Sequence, residues 1–169
     1  TNTWVFSAAN SYSGATSIND GTLRFTADQN LAGALNFGTA NSITTSGTLD
    51  LSTASATFAG NLLVQTNTAS ETNEILIGAG ESLTIGGTVT LGGTATNSTT
   101  LFSASGAGAF NVINTTGSGL TFLVGNNGST NTTTADFSAL ATLNVSLNTT
   151  SGILQVSSST GTNSTGFAT

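Results

Sequence analysis

The sequence has no cysteine, no proline, no methionine and no histidine, and its one basic residue is Arg24. Each absence closes a class of explanation. Without Cys there is neither a disulfide framework nor a thiolate metal site, so packing and backbone hydrogen bonds must hold the fold. Without His and Cys, the commonest general base, the commonest metal ligand and the thiol nucleophile are missing together. One cation stands against seven carboxylates, a net charge of −6. Phosphate-bearing partners draw their affinity from Lys and Arg, so no nucleic acid partner is expected. No apolar run approaches the roughly 18 residues that cross a bilayer, and no membrane insertion is expected. A chain without Met does not begin at its own initiator residue. The expectation is a processed product or an excised fragment, with a removed signal peptide as the simplest cause.

What remains is rich in Ser, Thr, Asn and Gly, with only 5% charged residues. Such polar tracts are often disordered, because they cannot bury enough apolar area to offset chain entropy. Here, however, branched apolar residues recur in apolar-x-apolar triplets, and the absence of Pro and of charge is unlike a disordered chain. The triplets are Leu23/Phe25, Leu35/Phe37, Leu49/Leu51, Leu62/Val64, Ile75/Ile77, Leu83/Ile85, Val89/Leu91, Phe110/Val112, Leu120/Phe122, Leu143/Val145 and Leu154/Val156. Each reads as a short strand, since period-2 alternation sends both apolar side chains to one face. No window carries helical periodicity; Ala135 to Leu143 comes nearest.

The stretch from Trp4 to Thr26 is the best organised. Trp4 and Phe6 alternate with Val5 and Ser7, Asn10 to Gly14 breaks the run, Thr16 and Ile18 resume it, and Asp20-Gly21 reads as a tight turn into Leu23-Arg24-Phe25. The residues Ala9-Asn10, Tyr12, Gly14, Thr16, Ile18 and Gly21-Thr22-Leu23, with Phe25 in the last apolar place, resemble the autotransporter-associated β-strand repeat. Ala8 stands where that pattern has its first Gly. Partial echoes follow at Gly47-Thr48-Leu49-Asp50-Leu51 and Gly87-Thr88-Val89-Thr90-Leu91. The resemblance implies a parallel β-solenoid in a secreted, surface-displayed protein, and it implies no chemistry, since the repeat is scaffold.

The fold expected is therefore all-β, a parallel β-solenoid or β-helix, with an antiparallel β-sandwich exchanging strands between subunits as the alternative. Two features favour the solenoid: the Gly-Thr-Leu units at 21 and 47 are spaced like successive coils, and the strands are shorter than the five or six residues usual in a sandwich. Leu120 to Val124 and Ile153 to Val156 are the segments that would suit a sandwich. Residues 1–169 are expected to form a single domain.

The candidate chemistry is thin. The acids are Asp20, Asp28, Asp50, Glu71, Glu74, Glu81 and Asp136. A carboxylate-pair hydrolase needs two of them across a cleft, and Arg24 alone gives little support to a polysaccharide-cleaving β-helix. Glu71, Glu74 and Glu81 cluster as oxygen ligands for calcium would, yet no EF-hand or nonapeptide spacing accompanies them. Thr-x-Thr triplets at Thr1, Thr66, Thr88 and Thr94 raise ice binding, but they keep no constant coil spacing. Sequons at Asn97, Asn114, Asn127, Asn131, Asn144, Asn148 and Asn163 follow from composition. No enzyme activity, cofactor or metal is expected.

The expected function is structural: an extracellular or cell-surface, β-rich subunit of a filament, fibre or matrix whose main partner is itself. The alternative is an adhesin or passenger segment that binds a surface ligand or glycan. The candidate intersubunit contact is Trp4, Phe6 and Ala8, which share one face of the segment from Thr1 to Ala8. Two large aromatics there need burial, either under the chain's own first coil or in a neighbouring subunit by strand addition.

Overall fold

The structure, a computed structural model, describes residues 2–38, 46–65, 71–92, 99–114, 119–125, 132–147, 152–156 and 165–168. Within them the chain contains strands and no helix. Every strand ladder is parallel, which establishes the solenoid and leaves no role for the antiparallel sandwich.

The strands sort onto three faces that the chain visits in rotation. The first coil places β1 (Thr3–Phe6) on the first face and β2 (Thr16–Ile18) on the third. The second coil has β3 (Asp20–Phe25), β4 (Gln29–Leu31) and β5 (Leu35–Phe37), one per face. The third has β6 (Ser46–Leu51), β7 (Ala56–Phe58) and β8 (Leu62–Val64). The fourth has β9 (Thr72–Ile77), β10 (Ser82–Ile85) and β11 (Val89–Leu91). In the fifth, β12 (Thr99–Asn114) runs through both the first and second faces before β13 (Gly119–Val124). The sixth holds β14 (Thr132–Asp136), β15 (Leu140–Leu147) and β16 (Gly152–Val156), and β17 (Thr165–Ala168) returns to the first face.

Register fixes the coil length. Gly21-Thr22-Leu23 lies against Gly47-Thr48-Leu49, and hydrogen bonds tie residues 26 apart on this face and 27 apart on the other two. The later coils lengthen, with Asn144 bonded to Asn111 at a separation of 33. The Gly87-Thr88-Val89 echo belongs to a different place from the first two. Val89 pairs with Leu62 on the third face, whereas Leu49 is followed on the first face by Ile75. The Asp20-Gly21 turn is also placed differently: β2 and β3 lie on different faces and are joined through Asn19, so the chain turns a corner and makes no hairpin.

The inward halves of the triplets form the core. Phe25, Leu35, Phe37, Leu49, Leu51, Leu62, Val64, Ile75, Ile77, Leu83, Ile85, Val89 and Leu91 are buried, and Phe58 joins them. Burial of each such side chain is worth about 1.5–3 kcal/mol relative to exposure. Because the strands are parallel and in register, each inward residue stacks on its counterpart about 4.8 Å away in the next coil. Leu143, Leu154 and Val156 depart from the pattern. They are substantially exposed, because β15 and β16 are the outermost described strands of their sheets and nothing described stacks beyond them. Residues 135 to 143, the nearest approach to a helical pattern, turn from β14 into β15.

One corner, between the second and third faces, is drawn tight by glycine. A Cβ on Gly33 would sit 2.0 Å from the Gly14 carbonyl oxygen, one on Gly60 would sit 2.8 Å from Gly33, and one on Gly87 would sit 2.8 Å from Gly60. The backbones stack there without room for any side chain. Gly33, Gly60 and Gly87 are evenly spaced at one coil length, a period plainly present in the sequence.

Candidate interaction surface

The first coil is where the sequence concentrates its aromatic and motif residues, and the structure assigns each a position. β1 pairs with β3 of its own chain, Trp4 opposite Leu23 and Phe6 opposite Phe25. The Phe6 and Phe25 rings stack with centroids 5.5 Å apart. Trp4 is 72% exposed and Val5 52%, since β1 is the outermost described strand of the first face. Of the three residues proposed as an intersubunit contact, Phe6 is thus packed within the chain, and Trp4, on the same face of the strand, is exposed beside the depression that both border. Ala8 contributes its carbonyl, which accepts hydrogen bonds from Gln29 Nε2 and Asn10 Nδ2, both at 2.9 Å.

The remaining motif residues close the loop between β1 and β2. On the second face this coil has no strand, and the buried Gln29 takes over the ladder's work. Its Oε1 accepts from Asn10 N and Asn10 Nδ2 at 3.0 Å, and its Nε2 donates to Ala8 and Ala27 carbonyls. The Tyr12 hydroxyl lies 2.6 Å from Thr16 Oγ1, and its ring packs against the core. Gln29 is invisible to a reading by apolar periodicity, because it occupies an inward position normally held by an apolar residue. Trp4, Phe6, Ile18, Asn19, Asp20 and Leu23 border an open depression of about 260 Å³ at this end of the stack.

Arg24 is committed to a structural pair. Its Nε donates to Asp50 Oδ2 at 2.6 Å across adjacent coils, with the Asp50 side chain buried and the guanidinium half exposed. Burial alone would raise the Asp50 pKa, but hydrogen bonds from Ser52 and from Arg24, with the Arg24 charge, hold it below its ordinary 3.8. The other acids also serve coil-to-coil or turn contacts. Asp28 accepts from Ser55 N, Glu81 from Ser55 Oγ, Glu74 from Ser105 Oγ and Asp136 from Ser138 N. Glu74 lies on the first face and Glu81 past the following corner; among the described residues no group of three acids gathers as a metal site would.

The glycan sequons divide. Asn114 is buried, Asn144 is exposed and bonded to Asn111, and the other five lie outside the described residues, as do Thr1, Thr66 and Thr94. Among the described residues, the buried polar atoms Asn73 Nδ2, Thr100 Oγ1 and Thr133 Oγ1 have no hydrogen-bond partner.

Residues 1–25 match the family model of the passenger-associated-transport-repeat, on the stretch where the sequence resembles an autotransporter repeat. No curated protein matches the chain, and no solved structure does.

Proposed function

We propose that the chain is a structural length of a secreted or cell-surface passenger, a β-solenoid that serves as scaffold and joins copies of itself into a filament or fibre. The observation that carries the reading is the continuity between the matched repeat and the solenoid. The residues that match the passenger repeat span the first coil and β3, the first strand of the second, and the later coils continue the same parallel stack. The charge-poor composition and the commitment of Arg24 to Asp50 favour a scaffold over an enzyme, a metal protein or a nucleic acid binder.

Self-association has a specific place to occur. Among the described residues β1 is paired on one edge only, with Trp4 and Val5 exposed beside the other, and an exposed parallel edge recruits a further strand unless something blocks it. A double substitution of Trp4→Ser and Val5→Thr alters only exposed side chains and leaves the Phe6–Phe25 stack in place. Negative-stain microscopy and light scattering should show filaments from the parent and dispersed, folded rods from the variant. Filaments from both, or from neither, would remove this edge as the junction.

A further inference from the structure

The four aspartates use their carboxylates differently. Asp50 and Asp136 accept from the N–H two residues on, at 2.9 and 2.8 Å, and Asp28 accepts from Ser55 N of the next coil at 2.9 Å. Asp20 accepts from the N–H of its immediate successor, with Gly21 N 2.7 Å from its Oδ1. The neighbouring coil explains the difference. On the first face Gly21 lies against Gly47, and Gly47 N is bonded by the side chain of Asn73 in the following coil at 3.0 Å. Gly47 has no side chain to offer Gly21 in the same way, so Asp20 supplies the acceptor itself. Gly21 is buried at φ 76° with no Cβ between its nitrogen and the Asp20 carboxylate, while Asp20 itself is exposed to water.

We propose that Asp20-Gly21 is a site of spontaneous covalent rearrangement, through a succinimide to isoaspartate. The Gly21 amide nitrogen, held beside the Asp20 carboxyl group, loses its proton and attacks Cγ. The N–Cγ bond forms, a Cγ–O bond breaks, and the oxygen leaves as water with the protons of the carboxylic acid and the amide. Water then adds to one of the two imide carbonyls. Opening at Cγ restores aspartate; opening at the main-chain carbonyl routes the backbone through Cγ and leaves the α-carboxylate as the side chain. No oxidant, reductant or enzyme is needed, and the final mass is unchanged. Holding the reacting groups together lowers the entropic part of the barrier. The product has one extra methylene in the backbone at the start of β3. That addition shifts Thr22 away from Thr3 and from the Asn2 carbonyl that Thr22 N now meets at 3.0 Å. The rearrangement is thus an ageing reaction that loosens the first coil from the second.

The test uses Arg24, the one basic residue and so the one trypsin site. Folded protein and urea-unfolded protein are aged side by side at neutral pH and body temperature, then digested and separated by liquid chromatography with mass detection. In the fragment ending at Arg24, whose only aspartate is Asp20, isoaspartate appears as a second peak of equal mass and succinimide as a peak lighter by one water. Isoaspartyl methyltransferase with a labelled methyl donor confirms the first. The expected result is accumulation in the folded protein at least as fast as in the unfolded chain, and none in Asp20→Glu, which keeps the charge but would need a six-membered ring. Slower accumulation in the folded protein overturns the proposal, since the hydrogen bond would then be protective. Methylation confined to a peak heavier by one mass unit overturns it too, since that product comes from deamidation of an asparagine.

Discussion

Coils two to four and coils five to six solve the same packing problem in different ways. In the earlier coils the repeat length holds at 26 or 27 residues, strand register is unbroken, and the interior is a set of aliphatic and phenylalanine stacks, each residue lying on its equivalent. In the later coils the spacing reaches 33, and register slips between Gly106 and Ala109 and between Leu120 and Phe122. Here an aromatic ring enters the interior from a corner. Phe137, between β14 and β15, puts its ring within 5.8 Å of Phe102, 6.1 Å of Phe110 and 6.3 Å of Phe122, one from each face. A constant coil length lets apolar side chains at equivalent positions fill the axis by stacking, whereas a variable one requires a plug.

The comparison breaks most directly in the core. Phe58→Ala in the third coil leaves a cavity within a fully buried stack and should cost about 4 kcal/mol in urea unfolding, while Leu154→Ala, at 58% exposure, should cost under about 1 kcal/mol. Phe137→Ala should cost about 3 kcal/mol and lower the protease resistance of the later coils before that of the earlier ones. Equal losses along the whole chain would mean that the two regions unfold as one unit.

The glycine corner sharpens the earlier half. Gly33→Ala drives a Cβ into the Gly14 backbone and should destabilise by about 3 kcal/mol, whereas Gly14→Ala meets open space and should be within about 0.5 kcal/mol of the parent. Thr133→Val removes a buried hydroxyl that has no partner among the described residues, so it should raise stability by about 1 kcal/mol; a loss would show that the hydroxyl is bonded in solution.

The remaining effect is electrostatic. The folded pKa of Asp50 is depressed, so the stability it contributes is present above the ordinary 3.8 and is lost as the pH falls through the lower folded value. Denaturant midpoints measured downward from pH 5 should show this acid limb in the parent and a weaker one in Asp50→Asn. Arg24→Gln should cost about 1 kcal/mol at neutral pH, discounted because the guanidinium is half exposed.

The passage from Trp4 to Phe25 shows how much of this was legible beforehand. Its strands follow from alternation, and the 26-residue step from Gly21-Thr22-Leu23 to Gly47-Thr48-Leu49 set a coil length that the register repeats. The triplets identified the inward residues of coils two to four, because parallel in-register stacking asks only that apolar side chains alternate. Three matters needed the tertiary structure. The face to which a triplet belongs, as with Val89 on the third face, depends on how many residues each corner consumes. The burial of Gln29 depends on a first coil that lacks a strand on the second face, so that its amide can bond Ala8 and Asn10. The pairing of Arg24 with Asp50 joins residues of different coils, and only register makes them neighbours. Periodicity is a local property and the sequence carries it. Which residues meet across coils depends on where each turn ends, and that is decided when the whole stack packs.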